Sequence, residues 1–453
     1  MRKSFPRGTG MPKLTRLFWS DKGGTPMRAA GFGAAWVFAF IAAALMDAQP
    51  ARTQPAAPAP YDVIGALAAH NPDYPQQRRA WRARLKPLAE TVARREAAGE
   101  PMVCANQILA EARWLVAYTT DTKRVERRLT ELADEAGRQR PTQLPDRPAP
   151  PDGYWASCHE ADFFRLSVSY DGMVALAAKN EAPSVKPGFL DRYNDHERLR
   201  REFLGLMTSD PARSGESQRR ALIEVVPSVV NLVLRDQPTG YQWNPNLKTA
   251  LRGVLIDDMR DPVSGFWGAR FVDGESTVRT ADLGLTFSIV RALRGDVPDW
   301  PRLLDTTLAI RDLRYPYGWR SSVGQLNQNN YEVAELFRLG WGKARDDQKA
   351  AIRGALADML AWTLSQSLQA DATFKVTEDD DTVESANFFG TAFLVSVGYF
   401  DKKKRYWTDL DFPQAEATRQ KLLARASQQI ARGAGGSGGY YYRRMVELLQ
   451  PAS

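Results

Sequence analysis

Apolar residues recur with the period of an α-helix over segments too long to be strands, and no other feature constrains the fold as much. From Cys104 the segment ANQILAEARWLVAYT puts Ile108, Ala112, Leu115 and Thr119 on one side. Further along, AAIRGALADMLAWTL aligns Ile352, Leu356, Met359 and Thr363. ESANFFGTAFLVSVGYF does the same with Ala386, Phe389, Phe393, Val397 and Phe400. Spacings of three and four over such lengths predict amphipathic helices. About a dozen helical segments are expected between residues 61 and 450, with short pieces such as FKVTE (374–378) pairing only locally. With 43% hydrophobic residues and twelve Trp in 453 residues, the chain can bury a large core, which excludes a disordered protein. The fold class expected is all-α.

The ends of the chain read differently. Residues 1–28 carry seven basic side chains and one acid, and Ala29–Met46 has no charge. A Pro/Ala-rich stretch, QPARTQPAAPAP, follows. A basic region, an apolar run and small residues beyond it form an export signal. Eighteen apolar residues lie at the short edge of a membrane span, so a cleaved signal and a retained anchor both stay open, and Met27 is a second possible start. The division expected is a leader over 1–48, a linker over 49–60 and one helical domain over 61–453. The net charge of +8 belongs mostly to the leader. Without residues 1–48 the chain keeps 54 of 61 basic and 51 of 53 acidic side chains, about +3. Nucleic-acid binders concentrate Lys and Arg on the folded domain, so that class is excluded. The expected location is periplasmic or secreted, with residues 29–46 as a possible tether to the inner membrane.

Cys104 and Cys158 are the only cysteines. In an oxidising compartment an isolated pair is expected to bond, and the bond would span the Pro-rich run 139–153 and tie both sides into one unit. Scattered His70, His159 and His196 with two cysteines do not make a structural zinc site, so no metal is expected. No Gly-x-Ser-x-Gly, Walker or dinucleotide fingerprint stands where it would count, and no cofactor is expected. His159 beside Cys158 reads as a polar residue at a helix start.

A glycine followed closely by aromatics and a tryptophan recurs at Gly153-Tyr154-Trp155, Gly240-Tyr241-Gln242-Trp243, Gly265-Phe266-Trp267 and Gly318-Trp319, each ahead of a helical pattern. Glycine permits the tight backbone and the indole roofs the next helix pair. The segment DPVSGFWGARFVDGESTVRTADLGLTFSIVRAL (261–293) resembles the turn-plus-helix unit of α/α toroids. These barrels of six helical hairpins are shared by terpene cyclases, prenyltransferase subunits, many glycoside hydrolases and several polysaccharide lyases. The resemblance is clearest over residues 240–410, and it implies a ligand funnel at one end of the inner helices. Shared architecture does not fix function.

Polar and aromatic clusters at helix starts are therefore the candidate site. Tyr315, Tyr317 and Trp319, with Trp267, offer faces that stack on sugar rings. Asn329 and Asn330 begin an apolar helix that continues through Tyr331 and Glu332. The Asn-Asn-Tyr piece resembles the helix start of alginate-lyase-like toroids, where a His usually follows; none follows here. That resemblance would have Asn330 neutralise a uronate carboxylate and Tyr331 move the proton. Helix capping by Asn329 or Asn330, with Tyr331 packed beneath, is the plainer alternative. Glycosidases need one protonated and one ionised carboxyl group, and the candidates are Asp282, Glu332 and Asp380. The run Glu378-Asp-Asp-Asp-Thr382-Val resembles the Asp-x-Asp-Asp-Thr-Ala motif of class II terpene cyclases, with Asp380 in the protonating place. Each acid also suits a helix start, where it complements the dipole.

Three readings follow: an exported enzyme cleaving a polysaccharide by acid/base chemistry, a non-catalytic envelope protein binding a glycan or partner, and a membrane-associated terpenoid cyclase. The first two require export, which argues against the third. An alkaline phosphatase fused after residue 60 should be active, and a reporter that works only in the cytosol should be silent there. The reverse pattern contradicts the leader assignment.

Overall fold

The computed structural model describes residues 60–450, apart from 146, 149–150, 179–180, 235–239, 378–382, 403–404 and 432–436. The leader, nearly all of the linker, and the acidic run with Asp380 lie outside the described residues. The described residues belong to one compact unit, Gln54–Ser453. Among them the chain is all-α, with sixteen α-helices and three short strands, and no helix is long and apolar enough to cross a membrane.

Four helices open the unit: α1 (Val63–His70), α2 (Tyr74–Ala97), α3 (Val103–Tyr118) and α4 (Thr122–Gly137). Their starts follow a rule that holds along much of the chain. Asp62, Asp121, Asp195, Asp210, Asp282 and Asp299 each occupy an N-cap and accept a backbone N–H three residues on. Each carboxylate thereby satisfies one of the orphan donors of the first turn. The periodicity of 104–119 is realised in α3, where Ile108, Ala112 and Leu115 are buried.

Beyond α4 come α5 (Asp162–Ala178), α6 (His196–Met207), the single turn α7 (Pro211–Ser214) and α8 (Arg219–Leu234). Then follow α9 (Leu247–Gly253), α10 (Leu283–Ala292), α11 (Trp300–Ala309), α12 (Asn327–Gly340) and α13 (Asp346–Trp362). The chain ends in α14 (Val383–Ser396), α15 (Ala415–Ala431) and α16 (Ser437–Leu449). Packing is sequential: α5 lies on α8, α8 on α10, α10 on α12, α12 on α14 and α14 on α16. The remaining helices flank this row, α6 and α9 against α8, and α11 and α13 against α12.

FKVTE pairs locally, as expected: Phe374 bridges Leu368, and the Lys375 N–H donates to the Ser367 carbonyl at 2.8 Å; the three strands lie elsewhere. β1 (Thr208–Ser209) pairs parallel with β2 (Arg270–Asp273), which pairs antiparallel with β3 (Ser276–Arg279). The β2–β3 turn holds Gly274 and Glu275 between the partners Asp273 and Ser276. Gly274 has φ of +60°, the first central position of a turn that favours glycine there. Gly153, Gly240 and Gly265 likewise take positive φ, so three of the four glycine–aromatic turns require their glycine.

Cys104 and Cys158 are joined, with Cα atoms 5.4 Å apart. Beside them Glu111 is fully buried and gathers Arg128 Nη2 (3.0 Å), the backbone N–H groups of Glu160 (3.0 Å) and Ala161 (3.2 Å), and His159 Nδ1 (3.4 Å). Burial alone would raise its pKa. The hydrogen bond to His159 and the charge of Arg128 overcome that and leave it lowered. His159 is thus a buried polar partner stacked on Phe164, as a helix-start residue should be. The disulfide and this carboxylate hold the start of α5 to α3.

A closed loop of 54 residues is worth about 4 kcal/mol on chain-entropy grounds. Reduction, or the C104S/C158S pair, should lower Tm by several degrees. An unchanged melting curve would contradict that contribution.

Candidate functional site

Four segments bring polar side chains together at helix starts. Arg219 is the first residue of α8, and Asp282 is the N-cap of α10. Tyr315 comes from the loop before α12, and Gln328 and Glu332 lie on the first turns of α12. The loop is tied down by a hydrogen bond from the Leu283 N–H to the Pro316 carbonyl, 2.8 Å. Two glycines let the pieces approach. A methyl group at Gly318 would overlap the carbonyls of Ile310 and Leu313, and one at Gly284 would overlap the Tyr315 hydroxyl. The Tyr315 hydroxyl therefore rests on the first turn of α10, beside the Glu332 carboxyl.

Arg219 and Asp282 form a buried ion pair, Nε donating to Oδ2 at 2.5 Å, while Oδ1 accepts the Leu285 N–H at 3.1 Å. Asp282 is fully buried and both its oxygens are engaged, which makes it a cap and a counter-ion. Glu332 differs. It is 3% exposed, its Oε1 accepts from Gln328 Nε2 at 3.0 Å, and its Oε2 has no hydrogen-bond partner. Burial, with the Asp282 charge adding, pushes its pKa up to about 8 from the ordinary 4.5, against the opposing pull of Gln328, Arg219 and the Tyr315 hydroxyl. Glu332 is accordingly a protonated carboxylic acid at neutral pH. Burial and the neighbouring Glu332 charge also raise the Tyr315 hydroxyl well above its usual range. Tyr317 is raised too, by burial.

Arg220, next along α8, pairs with a different carboxylate. Glu224 accepts from Arg220 Nη2 at 2.7 Å, and the Arg220 guanidinium lies over the Phe164 ring, 5.0 Å from its centre. Asp171, midway along α5, is open to water, yet surrounding protein and then the Glu224 charge raise its pKa to about 7. The charges of Arg219 and Arg220 both reach Tyr315, which links the two carboxyl clusters.

The other residues expected at the site lie elsewhere in the packing. Tyr331 is one position round the helix from Glu332 and enters an aromatic cluster with Phe287, Phe388 and Phe389, under Arg291. Trp267 is fully buried and donates its indole N–H to the Leu255 carbonyl at 2.7 Å. Trp319 is 5% exposed, packs edge-on against Phe337 under Arg311, and lines a small cavity with Asn330, Gln325 and Arg320. Asn329 donates to the Trp319 carbonyl at 2.9 Å and Asn330 to Gln325 at 3.1 Å, both buried; they fasten the loop to α12. Asp380 lies outside the described residues.

Arg219, Arg220, Gln328, Gly284, Glu224 and Asp171 were not anticipated. Arg219-Arg220 reads as a solvated helix start in sequence. Asp171 carried a usable signal: it is the only charge between Arg165 and Lys179 in an otherwise apolar helix. Among the described residues no cluster of His, Cys, Asp and Glu fits a metal ion. A surface groove of about 380 Å³, lined by residues such as Arg252, Asp257 and Asp296, shares none of the residues above. Compared with family models, curated proteins and solved structures, the chain matches none.

The Glu332 proton has a thermodynamic signature. Between about 4.5 and about 8 the folded chain holds a proton that the unfolded chain has released, so stability falls as pH rises through that window. Asp171 contributes in the same direction up to about 7. Glu332→Gln should flatten this decline, raising Tm at the alkaline end by roughly 3 °C or more relative to wild type. Parallel pH profiles for the two proteins would rule out a raised Glu332 pKa.

Proposed function

We propose that this chain is an exported enzyme that cleaves a polysaccharide by acid/base chemistry, with Glu332 as proton donor. The observation that carries this reading is the Glu332 carboxyl, buried beside the Tyr315 hydroxyl with its pKa pushed up to about 8. An acid whose pKa lies near the working pH is what general acid catalysis needs. Protonation of the leaving oxygen by Glu332 requires a second, ionised group, and Glu224, paired with Arg220 on α8, is the candidate. Asp282 is not that group, because its oxygens are committed to Arg219 and Leu285.

An α/α-toroid arrangement is part of the proposal. The sequential row of helices supports it, as does the meeting of the starts of α8, α10 and α12 at Tyr315. The charge of Glu384 at the start of α14 is felt by Glu96, which accepts from Asn106 near the start of α3. Export rests on the leader, and the disulfide fits an oxidising compartment. A glycan-binding protein without catalysis is the second reading. It is favoured by the structural employment of Asp282, Trp267, Trp319, Asn329 and Asn330, which leaves fewer reactive groups than a dedicated catalyst usually presents.

Reducing-end release from a panel of polysaccharides separates the two. We expect wild-type activity on one class of polymer, and Glu332→Gln should lower kcat by ~10²–10⁴-fold with Tm at mildly acidic pH unchanged. Full activity in the variant contradicts the proton-donor role, and the absence of cleavage with measurable glycan binding selects the second reading.

A further inference from the structure

α2 is the longest helix among the described residues, 24 residues, and its sides are employed differently. The inner side carries Tyr74, Trp81, Leu85 and Val92 into the core. On the flanks Arg84 pairs with Glu126 and Arg95 with Glu100, so those charges are neutralised within the fold. The outer side carries Arg79, Arg82, Lys86 and Arg94, all exposed. Steps of three, four and eight residues keep the four on one stripe of an α-helix. Among the described residues no carboxylate pairs with any of them, and Arg94 gives one N–H to the Thr91 hydroxyl. Glu90 is the one acid on the stripe. Four cations against one acid equal the whole net charge, about +3, of the chain beyond residue 48. The fold uses the other three sides of α2 and leaves this one as an open row of positive charge.

We propose that the outer face of α2 docks on the anionic phospholipid headgroups of the membrane that holds the leader, with α2 lying along the bilayer. The chain itself supplies the argument for this occupant. The apolar run ends at Met46, and the twelve-residue linker over 49–60 reaches at most about 40 Å. α2 starts at Tyr74, so a tethered domain keeps this row of cations within reach of the headgroups. Lys and Arg beside an anionic bilayer each strengthen binding about fivefold. Such recognition is by charge over a surface and needs no pocket. The proposal goes beyond the glycan reading and rests only on the leader being retained as an anchor.

The full chain reconstituted in vesicles of phosphatidylglycerol or of phosphatidylcholine tests this, with a nitroxide on Ala83→Cys. Ala83 is exposed between Arg82 and Lys86, and Cys104 and Cys158 are bonded to each other, so the label has one site. In phosphatidylglycerol the label should be shielded from an aqueous nickel chelate held on both sides of the bilayer. In phosphatidylcholine it should stay open to the chelate. It should also reopen in phosphatidylglycerol at about 1 M salt, where the Debye length is about 3 Å. Arg79→Gln/Arg82→Gln/Lys86→Gln should lower the ratio of shielded to open label by roughly 100-fold. These side chains are exposed and unpaired, so Tm should not change. Equal exposure in both lipids, or shielding that survives in the triple variant, overturns the docking. Shielding by a soluble polyuronate and none by phosphatidylglycerol assigns the face to an acidic polymer and overturns it too. Flotation on a density gradient reads the tether separately. A chain that floats with neither vesicle has no retained anchor and overturns the premise, whereas one that floats with both and shows no shielding removes the docking alone.

Discussion

The buried contact between Arg219 and Asp282 joins the start of α8 to the start of α10, and the neighbouring side chains depend on it. Asp282 caps α10 with one oxygen and fixes Arg219 with the other. Two charges taken out of water are costly unless each is fully engaged, and removal of one partner strands the other. The arrangement is therefore unforgiving, which keeps the two helix starts in one geometry. On that platform Gly284 leaves room for the Tyr315 hydroxyl, and Tyr315 stands beside Glu332. Burial is what raises the Glu332 pKa, and the two halves of the contact act on it in opposite directions, Asp282 raising and Arg219 lowering it.

Much of the fold was legible because it rests on short-range chemistry. Periods of three and four placed α3, α13 and α14, and Asp282 was read as suited to a helix start, where it caps α10. The two cysteines defined a bond across the Pro-rich run. The β2–β3 hairpin escaped because its strands have only four residues each and no clear alternation, although Gly274-Glu275 between them begins with the glycine that such a turn favours.

The site was legible only in part. Glu332 and Asp282 were chosen as acids at helix starts, and both meet there, but sequence cannot say which acid is left with a free oxygen. That depends on Arg219, 63 residues away from Asp282 along the chain. Aromatic content misled for a related reason. Trp267 and Trp319 look like stacking faces, yet large apolar rings next to tight turns contribute more as core than as surface. Tyr331 and Glu332 are adjacent in sequence but about 100° apart on the helix, and only Glu332 reaches Tyr315. The amides Asn329 and Asn330 went to the Trp319 carbonyl and the Gln325 side chain.

The account stands on one property, a glutamic acid that stays protonated near neutral pH because it is buried beside Asp282. Infrared difference spectroscopy of wild type against Glu332→Gln, over a pH titration, observes that carboxyl directly. A protonated-carboxyl C=O band that is absent in the variant and disappears in wild type with a midpoint near 8 is the predicted result. A band that has already vanished by pH 6, with a midpoint near the ordinary 4.5, would contradict the proton-donor assignment.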